Sequence, residues 1–107
     1  MNMLQKTVGV IQQAEARGKR AVILVPEGQY PEALLALACT YTKKNAGRTA
    51  QMDNGNLLTL MSTQTNITEV SGDFDLYLCG WGYAVAAEER SVQSWISMAK
   101  AVFTEIS

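Results

Sequence analysis

A chain of 107 residues with 48% apolar and 18% charged side chains has enough apolar surface for one core. It is too short for a catalytic domain with separate lids and too apolar for a disordered tail. Nine basic against ten acidic residues leave a net charge of -1, which excludes general attraction to nucleic acid or anionic lipid and confines any such binding to a local patch. No histidine is present and the two cysteines, Cys39 and Cys79, lie far apart, so the usual Cys/His zinc spacings and every histidine-based catalytic arrangement are excluded, and neither a metal site nor a cofactor is expected.

Along residues 3–17, Leu4, Val8, Ile11 and Ala14 recur at helical spacing with Gln5, Gln12, Gln13 and Glu15 on other faces. Gly18 is the stop, because glycine takes the left-handed conformation just past a helix end. The run Ala21-Val22-Ile23-Leu24-Val25 is apolar without alternation, the pattern of a strand covered on both faces, and Pro26 ends it by removing a ladder donor. A loop, Glu27-Gly28-Gln29-Tyr30, leads to Pro31, which suits the start of a second helix. Leu34, Leu35, Leu37, Ala38 and Tyr41 form the apolar face of that helix, and Lys43, Lys44 and Gly47 read as its end.

Residues 48–52 and 57–61 flank Asp53-Asn54-Gly55-Asn56, a hairpin signal because Asn and Gly both tolerate positive φ. Residues 67–70 read as a short edge strand. Asp75-Leu76-Tyr77-Leu78 reads as a second buried strand, rising from the turn Ser71-Gly72-Asp73 and broken by the glycines of Cys79-Gly80-Trp81-Gly82-Tyr83. The last expected element is one helix carrying the stripe Val92, Trp95, Ile96, Ala99, Val102, Phe103 and Ile106. The expected fold is a small three-layer α/β/α domain, with a mixed sheet of four or five strands and a β-hairpin around Asn54-Gly55. With no cleavable apolar leader and no run of membrane-spanning length, a cytoplasmic protein without a membrane partner is expected.

Several local features then line up in one order. Gln5-Lys6-Thr7 leads helix one, Gly18-Lys19-Arg20 leads into a strand ending in Pro26, an Asn-Gly hairpin follows the next helix, and an apolar strand runs from Asp75 to Leu78. This order resembles the core of P-loop NTPases of the helicase and phage terminase type. There a Gly-Lys-Thr loop opens a helix, a strand ends in proline, and the Walker B strand ends in Asp-Glu. The resemblance implies a degenerate member of phage or mobile-element origin. Only Met1-Asn2-Met3-Leu4 precede Gln5, so the glycine-rich phosphate cradle and the first strand are missing, and Cys79-Gly80 stands where the Mg²⁺ carboxylates belong. Without those groups ATP hydrolysis loses its main electrostatic stabilisation, so no catalytic residue and no enzyme activity are expected.

Ligands of open α/β sheets bind beyond the carboxyl ends of the strands, which places the candidate binding residues at Glu27, Gln29, Tyr30, Cys79, Trp81 and Tyr83. Trp81 and Tyr83 read either as rigid contact platforms or as caps on the core. The expected function is a non-enzymatic binding or regulatory protein acting on a protein partner or on further copies of itself. The alternative is a nucleic-acid binder using Arg17, Lys19, Arg20, Lys43, Lys44 and Arg48 with Trp81 or Tyr83. The same cations near helix ends also read simply as partners of the helix dipole. The serines and threonines lack a base, Glu88-Glu89 reads as a solvated pair, and Asp73 with Asp75 reads as serving a turn.

Overall fold

In the computed structural model, residues 2–41, 45–62, 72–81 and 90–104 are described. The apolar run Ala21-Val22-Ile23-Leu24-Val25 is strand β1 (Ala21–Val25), and all five side chains are buried. Its parallel neighbours are β4 (Leu57–Ser62) and β5 (Asp75–Leu78), which hydrogen-bond one to each side. Beyond β5 lies parallel β6 (Ala101–Thr104), and beyond β4 the antiparallel strands β3 (Thr49–Gln51) and β2 (Asn45–Ala46). The order is β2-β3-β4-β1-β5-β6, six strands among the described residues, of which β2 is two residues long.

Side chains of a strand alternate between faces, and here each face finds its own cover. Ala21, Ile23 and Val25 join a cluster with Val10, Ile11 and Ala14 of helix α1 (Met3–Arg17) and Ala33 and Leu37 of α2 (Tyr30–Thr40). Val22 and Leu24 join the opposite cluster, with Leu76, Leu78, and Val92 and Trp95 of α3 (Arg90–Met98). The result is the expected three-layer α/β domain with a mixed sheet and both central strands in place. No helix among the described residues is long and apolar enough to cross a membrane.

Helix α1 begins with a capping box. Gln5 N–H donates to Asn2 Oδ1 at 2.9 Å, and Asn2 N–H donates back to Gln5 Oε1 at 3.3 Å. It ends at Gly18, which has φ 70° and donates to the Ala14 and Glu15 carbonyls. Tyr41 ties α2 to α1, its hydroxyl donating to the Glu15 carboxylate. Burial and that carboxylate both raise the phenol's pKa well above its ordinary value.

The hairpin forms where Asn-Gly predicts it, in a slightly different geometry. Gly55 alone has positive φ, 91°. Its N–H donates to the Met52 carbonyl, and Met52 N–H pairs with Asn56 O. This is the three-residue loop with a glycine bulge rather than a two-residue turn. Asn54 keeps ordinary φ and accepts from Asn56 N–H through its side chain at 2.9 Å. Gly47, expected to end the second helix, instead has φ 66° in the turn between β2 and β3, whereas α2 stops at Thr40.

The largest departure is at the end of the chain, where the expected single helix is a helix and then a strand. α3 stops at Met98, Lys100 N–H donates to Phe74 O at 2.8 Å, and residues 101–104 pair in parallel with β5. Ala101-Val102-Phe103-Thr104 carries β-branched and aromatic residues as readily as a helical stripe. The unpaired backbone edge of β5 decides between them, because a buried N–H or C=O must find a partner. Phe103 then stacks on Tyr77 with ring centroids 5.1 Å apart. Residues 67–70, expected to be an edge strand, lie outside the described residues.

Candidate functional site

The carboxyl ends of β1 and β5 converge as expected, because the two strands are in parallel register with Leu24 opposite Leu78. β1 runs into Pro26 and a 3-10 turn, Glu27–Gln29, that feeds α2 directly. β5 runs into Cys79, whose N–H donates to Leu24 O at 3.0 Å, and then into Gly80. Gly80 has φ 89°, and the place a Cβ would occupy is crowded by the Gln29 side-chain oxygen and, at 3.2 Å each, by Met3 Cε and Pro26 Cδ. A side chain at this position therefore meets both backbone strain and contact. Gly80→Ala is expected to lower stability by about 1–3 kcal/mol, read as a fall in the urea midpoint. An unchanged midpoint would mean that the loop does not sit against Gln29 and Pro26.

Below this edge lies a buried pair. Thr7 donates its hydroxyl to Met3 O at 2.8 Å, and its oxygen is 4.0 Å from Cys79 Sγ. Both side chains are fully buried. On the outer side, Ser62 donates its hydroxyl to the Glu27 carboxylate, joining the end of β4 to the loop after β1. Tyr30 packs against the α1/α2 cluster. Burial raises its phenol pKa, nearby Arg48 opposes the rise and Glu27 adds to it.

The described candidate binding residues thus lie at one edge of the sheet, Tyr30 packing on the α1/α2 side and Trp81 on the α3 side, and they do not all face outward. Glu27 and Gln29 are exposed and Tyr30 is half-buried, forming one polar and aromatic rim. Cys79 is fully buried and supports the rim from beneath; Cys39 is exposed on α2, and both are free thiols. Trp81 is half-buried against the α3 cluster, its indole N–H enclosed without a hydrogen-bond partner among the described residues. This is the core-capping arrangement with part of the side chain still accessible. Tyr83 lies outside the described residues.

The basic residues are placed differently. Lys19 and Arg20 precede β1, at the amino edge of the sheet, whereas Trp81 follows β5 at the carboxyl edge. Five residues of strand, about 16 Å, separate the two edges. Arg17 is engaged within the fold: its Nε lies 3.1 Å from Asp75 Oδ2 and its guanidinium 4.2 Å over the Phe103 ring. Arg48 sits in the β2–β3 turn, and Lys43, Lys44, Glu88 and Glu89 lie outside the described residues.

Three contributors were not among the candidate site residues read from the sequence. Thr7 belongs to the buried stripe Met3, Thr7, Val10, Ile11 and Ala14; a threonine at a core position of an amphipathic helix was the available signal. Asp75, read as serving a turn, is 3% exposed and paired with Arg17, while Asp73 keeps the exposed character expected of both. Ser62 carried no signal, because its partner Glu27 is distant in sequence. Among the described residues no group of three or more His, Cys, Asp or Glu could hold a metal ion. Comparison with models of known protein families, with curated proteins and with solved structures finds no match to this chain.

Proposed function

We propose that this chain is a non-enzymatic binding or regulatory protein of the cytoplasm, of phage or mobile-element origin, built on a degenerate P-loop NTPase-like core. It acts through protein–protein contacts or self-assembly at the rim formed by Glu27, Gln29, Tyr30 and the accessible part of Trp81. The observation that carries this reading is the packing around Gly80, where Met3, Pro26 and Gln29 of the chain itself occupy the space beside the glycine that follows β5. A nucleotide pocket needs that space open for backbone N–H groups to wrap a phosphate. A filled edge leaves a surface for a partner instead of a cavity for a substrate.

Support for the degenerate core comes from the pair beneath it. Thr7 is the residue that aligns with the Walker A threonine, and Cys79 the one that aligns with the first Walker B carboxylate. Their side chains lie side by side, 4.0 Å apart. A thiol in that position supplies no hard oxygen ligand for Mg²⁺, so the pair serves packing.

A ligand that binds only the folded state raises the melting temperature once its concentration exceeds its dissociation constant, and the rise grows with the logarithm of concentration. Millimolar ATP with Mg²⁺ is therefore expected to leave the melting temperature where it is. A rise of several degrees that Lys6→Ala removes would contradict the reading and indicate a working nucleotide site.

A further inference from the structure

We propose that the opposite, amino-terminal edge of the sheet holds a second site, for the terminal phosphate of a small phosphomonoester. A cavity of about 370 Å³ opens there, lined by Gly18, Lys19, Arg20, Asn56, Asp73, Phe74, Asp75 and Lys100. Its volume is within the range of small-molecule sites, and it is built by loops from four parts of the chain. These are the end of α1, the tip of the β3–β4 hairpin, the approach to β5 and the approach to β6. The hairpin tip is fixed in place because Asn56 Nδ2 donates to Gly18 O, and the approaches to β5 and β6 are fixed by Asp75 N–H to Arg20 O and Lys100 N–H to Phe74 O, both 2.8 Å.

The charge of this lining selects the ligand. Asp75 is committed to Arg17, which leaves three cations, Lys19, Arg20 and Lys100, facing the single carboxylate of Asp73. With Arg20 partnered within the fold, the two ammonium groups of Lys19 and Lys100 against Asp73 leave a local excess of one positive charge in a chain of net charge -1. Lys19 and Lys100 are therefore the groups able to turn toward a ligand. Lys19 is exposed and forms no ion pair among the described residues. Lys100 is 3.8 Å from Asp73, and the two side chains are 68% and 85% exposed. An ion pair in that much water is weak, and a dianion competes for the ammonium group readily.

A phosphomonoester near neutral pH carries almost two charges and three strong acceptor oxygens, enough to engage the ammonium groups of both Lys19 and Lys100. A phosphodiester strand carries one charge per phosphate and needs a continued basic track with stacking platforms. Trp81 lies about 16 Å away at the other edge. Phe74, the aromatic residue of the lining, is 2% exposed, so among the described residues that line the cavity no open aromatic face is offered for a base. This site and the carboxyl-edge rim are independent, and either stands without the other.

The test is a titration of ¹⁵N-labelled full chain with ribose 5-phosphate, inorganic phosphate and ribose at low salt. Ribose 5-phosphate and phosphate are expected to give saturable amide shifts centred on Gly18, Lys19, Arg20 and Lys100, and ribose none. The Lys19→Ala/Lys100→Ala double variant, which changes only exposed side chains, is expected to fold normally and bind at least about tenfold more weakly. Absence of saturable shifts, equal shifts with ribose, or unchanged affinity in a folded double variant would overturn the proposal. So would an oligonucleotide lacking a terminal phosphate that binds these residues as tightly as ribose 5-phosphate, which would assign the edge to a nucleic-acid strand.

Discussion

Leu24→Asp is expected to leave the chain without a folded state. Leu24 is fully buried in the middle of the three-layer stack and sits in the α3-side cluster with Val22, Met61, Phe74, Leu76 and Leu78. Its strand is paired on both edges, with Met61 opposite on one side and Leu78 on the other. A carboxylate there has no cation within the cluster, so it is buried unpaired or forces water into the core. Either costs several kcal/mol, against a total stability for a domain of this size of about 5–15 kcal/mol. Circular dichroism and a urea titration read the outcome. Leu35→Asp is the control, because Leu35 on α2 is 55% exposed and the same change of chemistry there is expected to leave a cooperative transition close to that of the wild type. If Leu24→Asp unfolded with a near-normal midpoint, β1 would not be the centre of the sheet.

Trp95→Ala carries the second-largest expected loss, about 3–5 kcal/mol. The ring is 2% exposed and meets Phe74 edge-on, with centroids 6.5 Å apart and planes at 74°, a geometry that adds about 0.5–1.5 kcal/mol beyond burial. Val92, one helical turn earlier on the same face, is fully buried. These two residues anchor α3 over Leu24, Leu76 and Leu78. Truncating Trp95 opens a cavity that the rigid sheet beneath cannot close by relaxing. A lowered urea midpoint with unchanged slope is the expected signature. A loss below about 1 kcal/mol would mean that the third layer does not depend on this ring, in the range of an ordinary surface change.

The parts of the fold legible in the sequence are those where local chemistry and long-range packing agree. Ala21-Val22-Ile23-Leu24-Val25 has no polar side, so it can only be a strand covered twice, and Pro26 and Gly18 punctuate at positions that the backbone confirms with φ 70° at Gly18. The tail reads differently because the same residues satisfy two periods. Val102 and Phe103 continue the helical stripe of Trp95, yet they also make a strand, and the open edge of β5 settles the choice through backbone pairing that no local window contains.

The same reason governs the candidate sites. The place of Glu27, Gln29 and Tyr30 in the fold was legible because a loop leaving a central parallel strand has a predictable position. The packing of Met3 and Gln29 on Gly80, the pairing of Arg17 with Asp75 and the placing of Lys100 and Lys19 around one cavity depend on elements far apart in the chain. Asp75 was legible as the start of a buried strand, but its side chain reads as a turn carboxylate, and only the fold shows it buried and paired with Arg17.

Binding at the carboxyl-edge rim is tested most directly by capture from a nuclease-treated lysate of the native cell, with the tagged chain and a Glu27→Arg/Gln29→Arg variant in parallel. Both substituted side chains are exposed, so the variant is expected to fold, which circular dichroism checks. The prediction is a protein partner, or further copies of the chain, held by the wild type after nuclease treatment and absent from the folded variant. Recovery that disappears with nuclease, or a partner held equally by the variant, would contradict it.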